Sequence, residues 1–446
     1  MMKSTVLFAM AFVSNVAMAS KVFPAADFGA RAGDILQTAA IQAAIDAASA
    51  AGGGEVLVPE GVFRTGGLEL KSGVTLHLQE GAILEGSRDP EDYMAPLERL
   101  LGRVDPSDPR LKLGRSTQPF SRWNNAIVRA FGAHDIAIIG EKHSYIDGMN
   151  CYDAQGEEGY RGPHAINFWY CTNVVFRGYA VRNSANWAHA IFNSADITAE
   201  DLTVLGGHDG FDVRTCDSIR IENCTFRTGD DGVAGFDNID VTVRNCLFDC
   251  SCNALRFGGT DVLVEKCRGV SPTSWGHRYR MSEESRRLAV NDGKQLRHDM
   301  GAVFCYYCDH RAVIRRTPGN IVVRDCSFEG PRRIFLLEFG EKSVWCCNRS
   351  LSSILFERCS FTGMAEEPLY ILSDPKEPLS ITLRDCRIST RESSATRWVA
   401  LARDFGSIVF ENVVVSGYEN PQIMTDGSGE ISMCGGTKVG QALWRK

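Results

Sequence analysis

A nine-residue phrase recurs along this chain. In Ser218-Ile-Arg-Ile-Glu-Asn-Cys224-Thr-Phe226 apolar and polar residues alternate, the period of a strand. The phrase returns at Asp240 to Phe248, Asp261 to Cys267, Asn320 to Phe328, Ser353 to Phe361 and Ser380 to Ile388, with weaker copies from Asn173, Asp196 and Ser407. Alignment puts Tyr179, Leu202, Cys224, Cys246, Cys267, Cys326, Cys359, Cys386 and Val413 at one equivalent position, the first four intervals being 23, 22, 22 and 21 residues. That period is one turn of a parallel β-helix, whose successive coils stack about 4.8 Å apart. The expected fold is therefore all-β, a parallel β-helical solenoid.

The repeat also bears on the cysteines. Sixteen in one chain would suggest disulfides if the protein is exported. Six of them fall on the aligned position, interchangeable with Leu, Tyr and Val, so these are expected as an inward ladder of small hydrophobes. Cys250, Cys252, Cys305, Cys308, Cys346 and Cys347 lie off the ladder, and pairing among some of them is open. The CxxC at Cys305 to Cys308 lacks a second CxxC at zinc-finger spacing, so no metal site is expected there.

At the N-terminus Lys3 precedes an apolar run from Val6 to Val16, then Ala17-Met18-Ala19. This reads as a signal peptide over residues 1–19, with residues 20–446 forming a single secreted or periplasmic domain. No later stretch reaches the ~20 apolar residues of a membrane span. The net charge of -7 gives no general grip on nucleic acid. Ile35 to Ala51, rich in Ala, Ile and Gln without Pro, should form a helix capping the solenoid's N-terminal end. Two interruptions, Arg88 to Asn125 and Arg268 to Met300, are too long for coil turns and are expected to wall a groove.

Counting from the ladder locates candidate chemistry. Asp209 lies seven residues after Leu202, Asp231 seven after Cys224 and Asn253 seven after Cys246, with Asp230 one place before Asp231. If the coils keep register, three carboxylates share one patch. Crowded carboxylates raise at least one pKa, keeping one carboxyl protonated as acid beside an ionised base, the pair that glycoside hydrolysis needs. The same count extends the column to Asn186, with Trp187 beside it. Trp187, Trp275, Tyr306 and Tyr307 are candidates for stacking on sugar rings.

These residues resemble the polygalacturonase family of glycoside hydrolases (family 28), right-handed parallel β-helices that act on pectin. The resemblance rests on Phe28-Gly-Ala, Gly52-Gly-Gly-Glu-Val-Leu-Val-Pro59, Asn183-Ser-Ala-Asn-Trp187 and, most of all, Gly207-His208-Asp209-Gly210 followed by Thr228-Gly-Asp230-Asp231. The family pattern there is Asn-Thr-Asp-Gly and then Gly-Asp-Asp. It implies Asp230 as general acid, with Asp209 and Asp231 holding and activating water in an inverting hydrolysis that needs no metal or cofactor. The chain departs from the pattern where Cys252-Asn253-Ala254 replaces Gly-His-Gly and where Gly207-His208 replaces Asn-Thr. The family's Arg-Ile-Lys substrate clamp has its nearest counterpart in Arg315-Arg316. Arg256, His208, Asn253, Asn186 and Trp187 are the expected substrate contacts.

The expectation is thus a monomeric, secreted, polygalacturonase-like hydrolase of pectin or a related polysaccharide or oligosaccharide, exo-acting if the interruptions close one end of the groove. A polysaccharide lyase or epimerase on the same scaffold, or a non-catalytic carbohydrate-binding solenoid, are the alternatives.

Overall fold

Each copy of the repeated phrase turns a corner. The residue just before the ladder position takes a left-handed conformation in eight coils, at Asp201, Asn223, Asn245, Lys266, Asp325, Arg358, Asp385 and Asn412, with φ between 51° and 58°. Six of these eight are Asp or Asn, the residues that tolerate that region best after glycine. The ladder residue then points inward. Tyr179 through Val413 are all buried, and the residues that follow them pair in register from Ala180 on Thr203 through to Arg387 on Val414. The ladder thiols also do something the sequence did not show. Each donates to the carbonyl two residues earlier, Cys224 to Glu222 at 3.2 Å and Cys326 to Arg324 at 3.1 Å, which ties the corner.

In the computed structural model, residues 21–93, 121–153, 160–277, 297–310, 312–340, 343, 346–391, 398–418, 421–437, 439 and 441–444 are described. The strands all run parallel along three faces of a right-handed β-helix. Three consecutive coils carry the site: β1 (Thr203–Gly206), β2 (Phe211–Arg214), β3 (Asp217–Glu222), β4 (Thr225–Thr228), β5 (Val233–Arg244), β6 (Leu247–Cys250) and β7 (Asn253–Glu265). β1, β4 and β6 belong to a separate 12-stranded sheet, and β5 and β7 each continue across the other two faces. Inside, Phe226 stacks on Phe248 at 5.5 Å, Phe248 on Phe328 at 6.5 Å and Phe328 on Phe361 at 6.1 Å, an aromatic column parallel to the thiols.

The capping helix α1 runs from Thr38 to Ala50, and its buried stripe is Ile41, Ala44, Ile45 and Ala48. It packs on the first strands, Val22–Pro24, Gly54–Val58, Leu68–Glu69 and Val74–Leu78. It begins three residues later than expected. The Gln37 N–H bonds the Arg64 carbonyl, its side chain holds Ile35, and Ile35 and Leu36 are exposed, so this stretch is tied to the solenoid instead of coiling.

All sixteen cysteines are free thiols, which corrects the pairing left open for the off-ladder set. The expected signal peptide lies outside the described residues, as do most of both interruptions, so the groove walls are not part of the described structure. Among the described residues no helix is long and apolar enough to cross a membrane.

Candidate active site

The turns that leave β1, β4 and β6 stack as the coils do. Register passes from His189 to Phe211, Val233 and Leu255, so the residues two places earlier form one column: Trp187, Asp209, Asp231 and Asn253. A second column, one residue earlier, holds Asn186, His208, Asp230 and Cys252. This moves Asn186 by one place from its expected position, because the coil between Tyr179 and Leu202 is one residue longer than the next. Backbone bonds fix the stack: Ala188 N–H to Asp209 O at 2.9 Å, Gly210 to Asp231 at 3.0 Å and Gly232 to Asn253 at 3.0 Å. The glycine at 232 is required by close approach, since a Cβ there would lie 2.5 Å from the Phe248 ring and 2.8 Å from the Ala254 carbonyl.

The three aspartates converge, with one oxygen of each within 4.8 Å of the others. Asp209 and Asp231 are buried, whereas Asp230 is half-buried and open to solvent. The Thr228 hydroxyl donates to the Asp230 carbonyl at 2.9 Å and fixes this turn. The Asp231 N–H reaches Asp209 Oδ1 at 3.2 Å. Burial, and then the charges of Asp230 and Asp231, push the Asp209 carboxyl well above the ordinary range. Asp231 is also raised by burial, opposed by the Arg256 charge and by the hydrogen bond from Asn253. The cluster is built to hold a proton where isolated carboxyls would have lost theirs.

Arg256 lies beneath the pair. Its Nε is 2.6 Å from Asp231 Oδ2 and an Nη is 3.9 Å from Asp209 Oδ2, while its guanidinium sits 4.4 Å over the Tyr307 ring. It therefore neutralises the buried acids and is not poised for a sugar carboxylate. Asn253 donates its amide to Asp231 Oδ1 at 2.7 Å, again serving the carboxylate. His208 is buried, its Nδ1 3.4 Å from an Arg161 Nη and its ring 6.1 Å from that of Tyr152.

The expected sugar-stacking residues are mostly core. Trp187 is buried against Trp123, His164 and Phe192, with the Arg214 guanidinium 4.6 Å over its ring. Asn186 is buried and accepts the Trp187 N–H. Tyr306 and Tyr307 are buried, and their hydroxyls donate to Arg349 O and Asp309 Oδ2, both at 2.9 Å. Only Trp275 of the named aromatics is part-exposed. Arg315 does not reach the site either. It pairs with Asp237 at 2.9 Å and Asp217 at 2.8 Å, at the far end of β2 from Asp209, because those acids line a different corner of the coil.

Two residues at the site escaped the sequence reading. His277 and Cys252 bring their ligating atoms within 4.8 Å of each other and of an Asp230 oxygen. Cys252 could have been found by register, since it continues the Asp230 column. Nothing in the sequence signalled His277, whose position depends on where a long connection lands.

Residues 114–250 match the family model of the Glycosyl hydrolases family 28. A probable polygalacturonase of Vitis vinifera is 28% identical over 222 residues, 47% of this chain and 43% of its own length. An exo-poly-alpha-D-galacturonosidase of Dickeya chrysanthemi is 49% identical over 74 residues, 16% of this chain and 12% of its own length. The chain thus spans less than half the length of these curated relatives. In fold it is similar to an exopolygalacturonase from Thermotoga maritima, with a TM-score of 0.65 and 19% identity over 89% of this chain and 92% of that one. The chain is thus similar to the glycosyl hydrolases of family 28 over residues 114–250, and its fold is similar to that of a solved exopolygalacturonase.

Proposed function

We propose that this protein is a polygalacturonase-like glycoside hydrolase, secreted or periplasmic, that acts as a monomer and a single β-helical domain on galacturonan or a related acidic polysaccharide. One observation carries the reading: Asp230 alone among the three clustered carboxylates opens to solvent, above a buried pair that shares one guanidinium. In this reading Asp230 protonates the glycosidic oxygen as the bond to the anomeric carbon breaks. Asp209 and Asp231 hold a water whose oxygen bonds that carbon and whose proton passes to the carboxylate pair.

The closest oxygens of the cluster are nearer than the ~6.5–9.5 Å usual between acid and base in inverting enzymes. Inversion is nonetheless favoured by burial. A covalent nucleophile must touch the anomeric carbon, and the Asp209 and Asp231 side chains are each 1% exposed, which admits water more readily than a sugar ring. Proton NMR of the first-formed reducing end decides this: inversion is expected, and net retention would overturn the assignment of Asp209 and Asp231 as water-holding groups.

The likeness to the Dickeya exo-poly-alpha-D-galacturonosidase and to the Thermotoga exopolygalacturonase supports exo-action. Its test is product size early in digestion, where mono- or disaccharides from chain ends are expected and a ladder of internal fragments would contradict it.

A further inference from the structure

Asp230, Cys252 and His277 come from three separate segments, yet one ligating atom of each lies within 4.8 Å of the other two. Asp230 follows β4 and Cys252 follows β6, one coil further along the same column. His277 arrives on the connection after Ser271, which crosses the open side of these turns. That connection is held closely in place. A Cβ on Gly229 would lie 2.6 Å from the Gly276 carbonyl, so the backbone before His277 rests directly on the backbone before Asp230. The Thr273 hydroxyl donates to Trp275 O at 3.0 Å, the Ser251 hydroxyl donates to the same carbonyl, the Ser274 N–H reaches Asp249 Oδ1 at 2.6 Å and the His277 N–H reaches Arg297 O at 2.8 Å. All three side chains are half-buried, so each faces both protein and solvent.

We infer that these three residues form a binding site for a borderline-soft divalent cation such as Zn2+, seated on the side chain that the proposed hydrolysis uses as its acid. The donor set decides the class of ion. One sulfur, one imidazole nitrogen and one carboxylate oxygen suit zinc, whereas Ca2+ and Mg2+ select oxygen alone. Three protein ligands leave a fourth tetrahedral position for water on the solvent side. Zinc bond lengths imply ligand atoms about 3.4 Å apart, so side-chain rotations of about 1.4 Å or less close the site. The surroundings attract a cation, because Asp209 and Asp231 adjoin Asp230 and Arg256 supplies one opposing charge. Binding transfers the Cys252 thiol proton to solvent and leaves a thiolate on the metal; no electron moves.

The consequence for activity rests on the proposed function: a cation on Asp230 withdraws the proton donor, so zinc reversibly silences hydrolysis. The binding itself does not depend on that reading, and the test keeps the two apart. The chelator-stripped full chain is titrated with ZnCl2 by calorimetry and with CoCl2 by absorbance, beside Cys252→Ser and His277→Gln, each checked for native circular dichroism. One ion per chain is expected, with a thiolate-to-cobalt charge-transfer band that Cys252→Ser abolishes and a loss of affinity of at least about tenfold in each variant. Polygalacturonan hydrolysis is expected to fall over the same zinc range and to return with chelator. No stoichiometric binding, or binding and a cobalt band unchanged in a folded variant, overturns the site. Zinc binding with these signatures in a protein that cleaves no polysaccharide sustains the site and removes the proposed function.

Discussion

Asn253 gives Asp231 two hydrogen bonds to one oxygen, from its side-chain amide at 2.7 Å and its backbone N–H at 3.0 Å. The amide bond favours the ionised form and opposes the burial that raises the Asp231 pKa. Asn253→Ala therefore raises that pKa further. The acid limb of the kcat–pH profile should move to higher pH, and kcat/KM near neutrality should fall roughly tenfold to a hundredfold, the equivalent of one hydrogen bond to a charged group. An unmoved profile would remove Asn253 from the machinery.

Burial and two neighbouring negative charges oppose the ionisation of Asp209. Because its folded pKa lies above the unfolded value, ionisation destabilises the fold, and the effect disappears as pH falls through the raised value. Asp209→Asn removes that charge while leaving an oxygen to accept the Asp231 N–H. The variant should be more stable at neutral pH by about 0.5–2 kcal/mol and inactive. Denaturant unfolding beside an activity assay tests both halves, and a destabilised variant would contradict the account.

Two buried histidines act in the opposite sense. Burial depresses His164 and His189 from 6.5 to about 3. The unfolded chain takes up these protons below 6.5 and the folded chain only near 3, so their contribution is complete above 6.5 and is lost as pH falls through that window. His189 stacks on Phe211 at 4.1 Å, with Nδ1 3.1 Å from the Gly210 carbonyl and Nε2 3.0 Å from the Tyr179 hydroxyl, an arrangement suited to the neutral ring. In His189→Gln, stability should be lower overall and should vary less with pH between about 6.5 and 4. An equal pH slope in variant and wild type would count against the assignment.

The thiols make a simple chemical prediction. Cys434 is exposed and Cys252, Cys305 and Cys347 are part-exposed, whereas the ladder is sealed. A thiol reagent should label at most these four in the native protein and all sixteen after unreduced denaturation. Fewer than sixteen in the unfolded chain would reveal disulfides.

The fold was legible because two periods coincide. Alternation gives the strand, and the 22-residue return of Cys224, Cys246 and their equivalents gives the coil. The grouping of Asp209 with Asp231 followed from the same count, since their coils are equal in length. The count slipped by one at Asn186, where a coil is a residue longer, and a one-residue slip exchanges buried and exposed faces. Arg256 was visible as a cation but not as the partner of Asp231, because its direction depends on β7 continuing in register. Trp187 looked like a sugar platform because an aromatic beside acids reads the same in sequence whether it lines a cleft or, as here, packs against Trp123 and Arg214. His277 was illegible for a different reason: it meets Asp230 only through a long connection whose landing point no local pattern encodes.

The central claim is that Asp230 donates the proton in hydrolysis of a galacturonan-like chain. The most direct measurement is reducing-end release from polygalacturonan by wild type and Asp230→Asn, both verified as folded. The account predicts release by wild type and a loss of about 10²- to 10⁴-fold in the variant, the range for removing a general acid. Equal rates in the two proteins, or a folded wild type that binds the polysaccharide and releases no reducing ends, would contradict it.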